Sequence, residues 1–267
     1  MMLRLYDVSR TGYQSWRTRG ESARSVRDRE LLEAVERVYG SVDGLYGSPQ
    51  VTKALREAGV VVGENRVARL MRENELVARC ARIYRRHAGV NRFFAQIKNQ
   101  IYDKQATGPD QIWVGDVTYL SVNGVWRYLA VVMDLYSRKI VGWSLSKQRD
   151  ARLSLAAFKR ATQKRLVKAG LYFHSDRGAE YIANKYQDWL KEQGVIQSMN
   201  RKGRMNDNAT MESFFHNFKA ERIHRNVFMT EKELRSTVSS YVSFYNERRI
   251  HSSLGYVSPN TYEMKAA

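Results

Sequence analysis

The chain has 267 residues, 43% of them hydrophobic, enough for one large core with one or more smaller ones beside it. Its 45 Lys and Arg against 27 Asp and Glu leave a net charge of +18, which points to a polyanionic partner, nucleic acid first. A single cysteine, Cys80, excludes an internal disulfide framework and a cysteine-rich zinc site; no apolar run approaches the ~18 residues of a membrane span, and charge at Arg4 and Asp7 interrupts any signal-like start, so a cytoplasmic protein with no membrane partner is expected.

From Asp28 the spacing of Leu31, Leu32, Val35 and Val38 predicts a helix, followed by a glycine-rich break from Gly40 to Gly47. Ser48-Pro49 reads as N-cap and first helical residue of a second helix that Gly59 closes. A third runs from about Glu64 to Asn74, with Val67, Leu70 and Met71 as its apolar stripe and Arg66, Arg69 and Arg72 on a separate basic face. That arrangement suits a helix-turn-helix, with those arginines as candidate DNA contacts, although a solvated face on an ordinary helix pair has the same pattern. The basic run Arg79, Arg82, Arg85, Arg86 follows, and Arg85 and Arg86 are further candidates.

Gly108-Pro109 marks a boundary, after which the pattern changes. Ile112 to Leu120 reads as a strand covered on both sides, Asn123-Gly124 as a hairpin turn, and Trp126–Leu135 and Ile140–Leu145 as two further strands. Asp150 caps a helix to about Leu166, Leu171–His174 is a fourth strand, a helix spans about Ile182 to Gln193, and Val195–Met199 is a fifth strand. Hairpin strands followed by strand-helix alternation predict a mixed sheet with helices on its faces. The stretch Asn200–Asn208, carrying Arg201, Lys202 and Arg204, reads as a mobile basic loop. A helix from Thr210 to about His224 follows, and Thr230-Glu-Lys-Glu233 is a capping box opening a last helix to about Glu247.

Three carboxylates stand out: Asp116 inside the first strand, Asp176 at the C-terminal end of the fourth, and Glu212 on a helix, with 35 residues between the last two. Carboxylates gathered at one point repel unless a divalent cation sits among them, and a largely buried aspartate such as Asp116 needs a partner. Oxygen-only ligands suit Mg2+ or Mn2+ better than zinc, so His174 and His216 read as hydrogen-bonding or DNA-contacting groups rather than ligands. Glu212, His216 and Lys219 share one helical face, which can meet both metal and DNA; Met211, Phe214, Phe215 and Phe218 read as core.

The wording around these residues is similar to a known family. Trp113-x-x-Asp116-x-Thr118-Tyr119, His174-Ser-Asp176-Arg-Gly178-x-x-Tyr181, Ser198-Met-x-Arg-Lys-Gly203 and Asp207-Asn-Ala209-x-x-Glu212-Ser-Phe-Phe with Lys219 occur in order, followed by Tyr245-Asn-x-Arg248-x-x-His251-Ser-Ser-Leu-Gly-Tyr256-x-x-Pro259. Together they resemble the DDE transposases of bacterial insertion sequences, of the OrfB type of insertion-sequence family three, whose core is similar to that of retroviral integrases. Tyr46-Gly47-Ser48-Pro49 and Val67-x-x-Leu70-Met71 resemble the helix-turn-helix of the same family.

The resemblance implies an α/β fold, a ribonuclease-H-like mixed five-stranded sheet with flanking helices, preceded by a small all-α helix-turn-helix region. The expected domains are an N-terminal segment 1–27, a helix-turn-helix domain 28–83, a basic linker 84–110, a catalytic core 111–225 and a C-terminal helix and tail 226–267. It further implies a nucleoid-associated DNA transposase in which two Mg2+ (or Mn2+) ions, held by Asp116, Asp176 and Glu212, serve cleavage and strand transfer at the ends of an insertion sequence. Lys219 is expected on a phosphate or terminal base, and Arg248 and His251 near DNA or the catalytic helix, with a structural role equally open. Expected partners are double-stranded DNA (terminal inverted repeats and target), further copies of the chain in a homo-oligomer, and an upstream-frame OrfA fusion partner. A noncatalytic DNA-binding regulator, such as a truncated transposase occupying element ends, is the main alternative; a ribonuclease acting on RNA:DNA hybrids shares the fold and metals.

Overall fold

The structure is a computed structural model and describes residues 9–78, 97–202 and 205–266. The chain divides into two compact units, 1–81 and 82–267. Arg79, Cys80, Arg82, Arg85, Arg86 and Arg204 lie outside the described residues.

In the first unit, α1 (Arg10–Thr18) and α2 (Ala23–Ser41) each begin at a serine cap: the Ser9 and Ser22 side chains accept from the backbone of Gly12 and Ser25. The predicted start of α2 at Asp28 was thus one turn late, because the Ser22 cap lies in a polar stretch without apolar periodicity. α3 (Ser48–Glu57) starts after Gly47 rather than Ser48, with Gln50 Oε1 accepting from the Gly47 N–H at 3.2 Å. α4 (Glu64–Glu73) buries Val67, Leu70 and Met71. These meet Leu31 and Val35 of α2 and Val51 and Leu55 of α3 in a small core, each large apolar side chain contributing roughly 1.5–3 kcal/mol.

The second unit is built on one sheet of β1 (Ile112–Val122), β2 (Val125–Asp134), β3 (Ile140–Ser146), β4 (Tyr172–Ser175) and β5 (Ile196–Met199), in the order β3-β2-β1-β4-β5. β1 and β2 pair antiparallel through the Asn123-Gly124 turn, where φ is positive at both residues, as a two-residue hairpin of this hand requires. β1, β4 and β5 run parallel. Alternation along β1 sends Val114, Leu120 and Val122 to one face and Trp113 and Val117 to the other.

The first face is covered by α8 (Ala209–Phe218) and α9 (Glu231–Glu247), through Met211, Phe214, Phe218, Leu234, Val238 and Tyr241. The second is covered by α5 (Ala151–Thr162) and the pair α6 (Ala179–Ile182) and α7 (Asn184–Glu192), through Phe158, Tyr181, Tyr186 and Leu190. α5 packs so closely on β3 that a Cβ on Gly142 would lie 2.3 Å from the Ala157 carbonyl.

Several boundaries differ from the sequence reading. α5 ends at Thr162, and Leu166 beyond it is 88% exposed, so its apolar character marked no helix face. The helix expected from Ile182 is two, separated at Ala183 by extended backbone (ψ 133°). The helix expected to run to His224 stops at Phe218 and continues as a π turn, Lys219–Ile223. α10 (Pro259–Ala266) was not foreseen.

Candidate active site

Parallel pairing sets Gly115 against Ser175. One residue on, Asp116 and Asp176 therefore come side by side where β4 ends and β1 continues alone on that edge, the position at which open α/β sheets present ligands. Both carboxyls are half-buried. Asp116 is pushed above the usual carboxylate range, first by burial and then by Asp176, against the opposing pull of the Val117 N–H and Arg149. Asp176 is pushed up mainly by burial and by Glu180, while the Gly178 N–H, 2.9 Å from its Oδ1, and Arg149 work in the other direction.

Two residues not anticipated from sequence complete this corner. Glu180 is 4% exposed, and Arg149 reaches it with Nε and Nη2, each 2.8 Å from Oε1. The same Nη2 lies 4.0 Å from Asp176 Oδ2. Glu180 falls on an unspecified position of the Asp176-Arg-Gly motif, and Arg149 lies among other charged loop residues, so neither had a distinguishing signal.

Glu212 and His216 are exposed on α8. Lys219, at the start of the π turn, is half-buried with Nζ 4.4 Å from the centre of the Tyr119 ring; burial lowers its pKa and the nearby Asp116 opposes the shift. The start of α8 is tied to β1, because the Asn208 side-chain amide donates to the Gly115 carbonyl at 3.1 Å. Thus the structure joins Asp116 to Asp176 and brings Lys219 near Asp116. Among the described residues, no group of three His, Cys, Asp or Glu side chains is placed to hold a metal ion.

The described residues of the loop before α8 are tightly held, where the sequence predicts a mobile basic loop. Arg201 clasps Asp207 through Nη2 and Nε, at 2.9 and 3.1 Å, and its guanidinium lies 3.7 Å from the Tyr102 ring centre. Asp207 also accepts from Asn99 and the Arg201 N–H, and the Arg201 hydrogen bond chiefly holds its carboxyl well below the usual range. Lys202 is exposed. His174 is fully buried, with Nδ1 2.8 Å from Ser198 Oγ and Nε2 2.8 Å from Asn200 Oδ1; its role is to join β4 to β5.

Arg248 is exposed at the end of α9. His251 instead turns inward, 4.7 Å from the Tyr245 ring, and burial, aided by Arg249 and Arg138, pushes its pKa down to about 3. The ring thus packs against Tyr245 rather than standing out in solvent. In the first unit, Arg66 and Arg69 do not stand free: their Nη2 atoms each lie 2.6 Å from Asp28 of α2, and Arg69 also meets Glu73 at 2.8 Å. With Arg24 and Arg27 they line a basic cleft between α2 and α4, while Arg72 is exposed. The polar face of α4 was legible, but its engagement with Asp28 on another helix was not.

The integrase core domain matches residues 106–205 and 193–259, and the HTH-like domain matches residues 26–84. In fold, the chain is similar to the simian T-cell lymphotropic virus intasome solved in complex with PP2A regulatory subunit B56 gamma, with a TM-score of 0.50 and 11% identity over 86% of this chain and 74% of that one. Fold and domain matches together define a polynucleotidyl transferase of the integrase class. The chain is 37% identical over 241 residues to the transposase for insertion sequence element IS904 of Lactococcus lactis subsp. lactis (strain IL1403), spanning 88% of this chain and 94% of that protein. It is also 37% identical over 276 residues to transposase InsF for insertion sequence IS3A of Escherichia coli (strain K12), spanning 99% and 93%. The chain belongs to the IS3 family of insertion-sequence transposases. Among the described residues no helix is long and apolar enough to cross a membrane.

Proposed function

We propose that this transposase cuts and joins DNA at the ends of its element through a divalent-cation site formed by Asp116, Asp176 and Glu212. The observation that carries the reading is the pairing of Asp116 with Asp176, two hard oxygen donors that burial and neighbouring carboxylates both disfavour as free anions. A donor set of this kind fits Mg2+ or Mn2+. Glu212 stands on the exposed side of α8, and closing on the cation would complete the donor set. When bound, two such ions supply activation of an oxygen nucleophile, water for cleavage or a 3′-OH for joining, and stabilisation of the leaving 3′ oxygen.

The chain's own residues do the rest. Asn208 holds the start of α8 against β1 beside Asp116, and Lys219, near Asp116, takes a phosphate or terminal base of the element end. His216, Arg248, Lys202 and Arg72 are exposed and serve as further DNA contacts. Arg66 and Arg69 contribute through the cleft they line. Because two ends must be held together, the active form is a homo-oligomer, with an upstream-frame OrfA product as a further partner.

Replacing Asp116 by Asn tests the reading: with Mg2+ the parent nicks labelled element-end DNA, and the variant binds it equally well without cutting. Unchanged cutting and joining by Asp116→Asn overturns the assignment. The separation of Glu212 from the aspartate pair favours one other reading, a noncatalytic regulator at the element ends. That protein binds end DNA with or without Mg2+ and never cuts it.

A further inference from the structure

Arg149 occupies an unusual position. It lies in the connection between β3 and α5, next to Asp150, whose side chain caps α5 by accepting from Leu153 at 3.1 Å, so its backbone is anchored by a helix start. Its side chain is 42% exposed, whereas the carboxylate it grips is almost fully buried, the Glu180 side chain being 3% exposed. Nε and Nη2 are both committed to Glu180 Oε1, and Nη2 is also 4.0 Å from Asp176.

The Glu180 carboxyl folds back against the Gly178 turn. A Cβ on Gly178 would lie 2.7 Å from the Glu180 carboxyl carbon, and the Gly178 N–H donates to Asp176 at 2.9 Å. One short segment thereby sets both the carboxylate that orients Arg149 and the Asp176 carboxylate beside it. A guanidinium carries five N–H donors in a planar fork. With the Nε–Nη2 edge taken by Glu180, the edge bearing Nη1 has no protein partner among the described residues, and Nη2, which it shares, lies 4.0 Å from Asp176. The ligand that matches a planar, fixed, cationic edge is a phosphate oxygen pair.

We propose that Arg149 is a phosphate-binding residue of the active site, aimed by the buried Glu180 at the DNA phosphodiester that lies against Asp116 and Asp176. The assignment rests on the transposase reading of that pair given above. Glu180 is a positioning residue: it touches Arg149 and not the DNA. Arginine rather than lysine is required, because a lysine ammonium has no second planar edge to offer once it is paired.

The test is equilibrium binding, by fluorescence anisotropy, of element-end duplexes carrying either an ordinary linkage or one uncharged methylphosphonate at the cleaved position. It is run with Ca2+, a hard cation of the same oxygen preference. The parent is expected to bind the charged linkage about tenfold or more tightly than the neutral one, as for a charge-assisted hydrogen bond. Arg149→Ala alone strands a buried carboxylate, so the informative variant is Arg149→Ala with Glu180→Gln. It should keep only the part of the discrimination that Ca2+ and Lys219 supply, several-fold less than the parent's, and Arg149→Lys should restore less than half of the lost discrimination on a logarithmic scale.

Full discrimination by the double variant, or none by the parent, overturns the proposal. The Asp116→Asn cutting assay separates this failure from that of the transposase reading. If cutting depends on Asp116 while the double variant still discriminates, only Arg149 is misassigned. If Asp116→Asn cuts normally, the whole reading falls.

Discussion

Arg249 and Glu221 form an ion pair inside the protein, Nη2 to Oε1 at 2.8 Å, with side chains 10% and 0% exposed. The Tyr241 hydroxyl donates to the other Glu221 oxygen at 2.8 Å. Glu221 lies in the π turn that continues α8, and Arg249 lies just past α9, so the pair fastens the segment bearing Lys219 to the end of the last long helix.

Breaking one side of this pair leaves a charge in the core. Arg249→Ala is expected to lose about 3–5 kcal/mol in urea unfolding. Pairing it with Glu221→Gln should recover a large part of that loss, because the stranded carboxylate is then gone. A loss below about 1 kcal/mol for the single variant would mean that water reaches Glu221.

Asp207 gives a prediction with a definite sign. Its carboxyl is held below the usual range, first by Arg201, so its contribution to stability is fully present above the ordinary carboxylate pKa of about 4 and fades as pH falls through its lower folded value. Asp207→Asn should therefore melt at a lower temperature than the parent at neutral pH. The gap between the two melting curves should narrow on acidification below about pH 4. A gap that is constant with pH would leave the Arg201 pair without energetic weight.

Gly142→Ala probes the seam between β3 and α5. The added methyl would meet the Ala157 carbonyl at 2.3 Å and the Ala161 Cβ at 2.9 Å, both on the helix, so α5 must move away from the sheet. Overpacking of this kind costs about 1–3 kcal/mol, measurable by thermal or urea unfolding.

In the first unit, Arg69→Ala removes solvent-screened ion pairs with Asp28 and Glu73 and should leave the unfolding midpoint almost unchanged. Its effect on DNA is separable: the slope of log affinity against log salt should become shallower by about one. An unchanged slope would assign Arg69 to Asp28 alone.

Local signals in the sequence were most reliable where one residue's own chemistry decides the backbone. Asn123-Gly124 announced the hairpin, the Thr230 capping box announced α9, and the alternation in Ile112–Leu120 announced a strand covered on both sides. Asp116 and Asp176 were legible as neighbours only through family resemblance, since nothing in the spacing says that β4 pairs with β1. Arg149 and Glu180 were silent because their meaning comes from a contact across 31 positions of chain. The inward turn of His251 was equally hidden, because a histidine in a polar stretch reads the same whether it faces water or Tyr245. Arg201 looked mobile for a related reason: its clamp on Asp207 needs Tyr102 and Asn99 from a distant segment, and no local pattern announces them.

The π turn at Lys219–Ile223 makes chain length in this region a constraint of its own. There the His224 N–H donates to the Lys219 carbonyl five residues back, at 2.9 Å, so the backbone takes up one residue more than an α-turn would. Excising a single residue here would restore α-geometry with little change in the direction of the downstream chain, whereas inserting one would swing that chain by about 100° around the axis. Growth of this segment is thus barred, since an insertion would uncouple Glu221 from Arg249 while every motif on either side still read correctly.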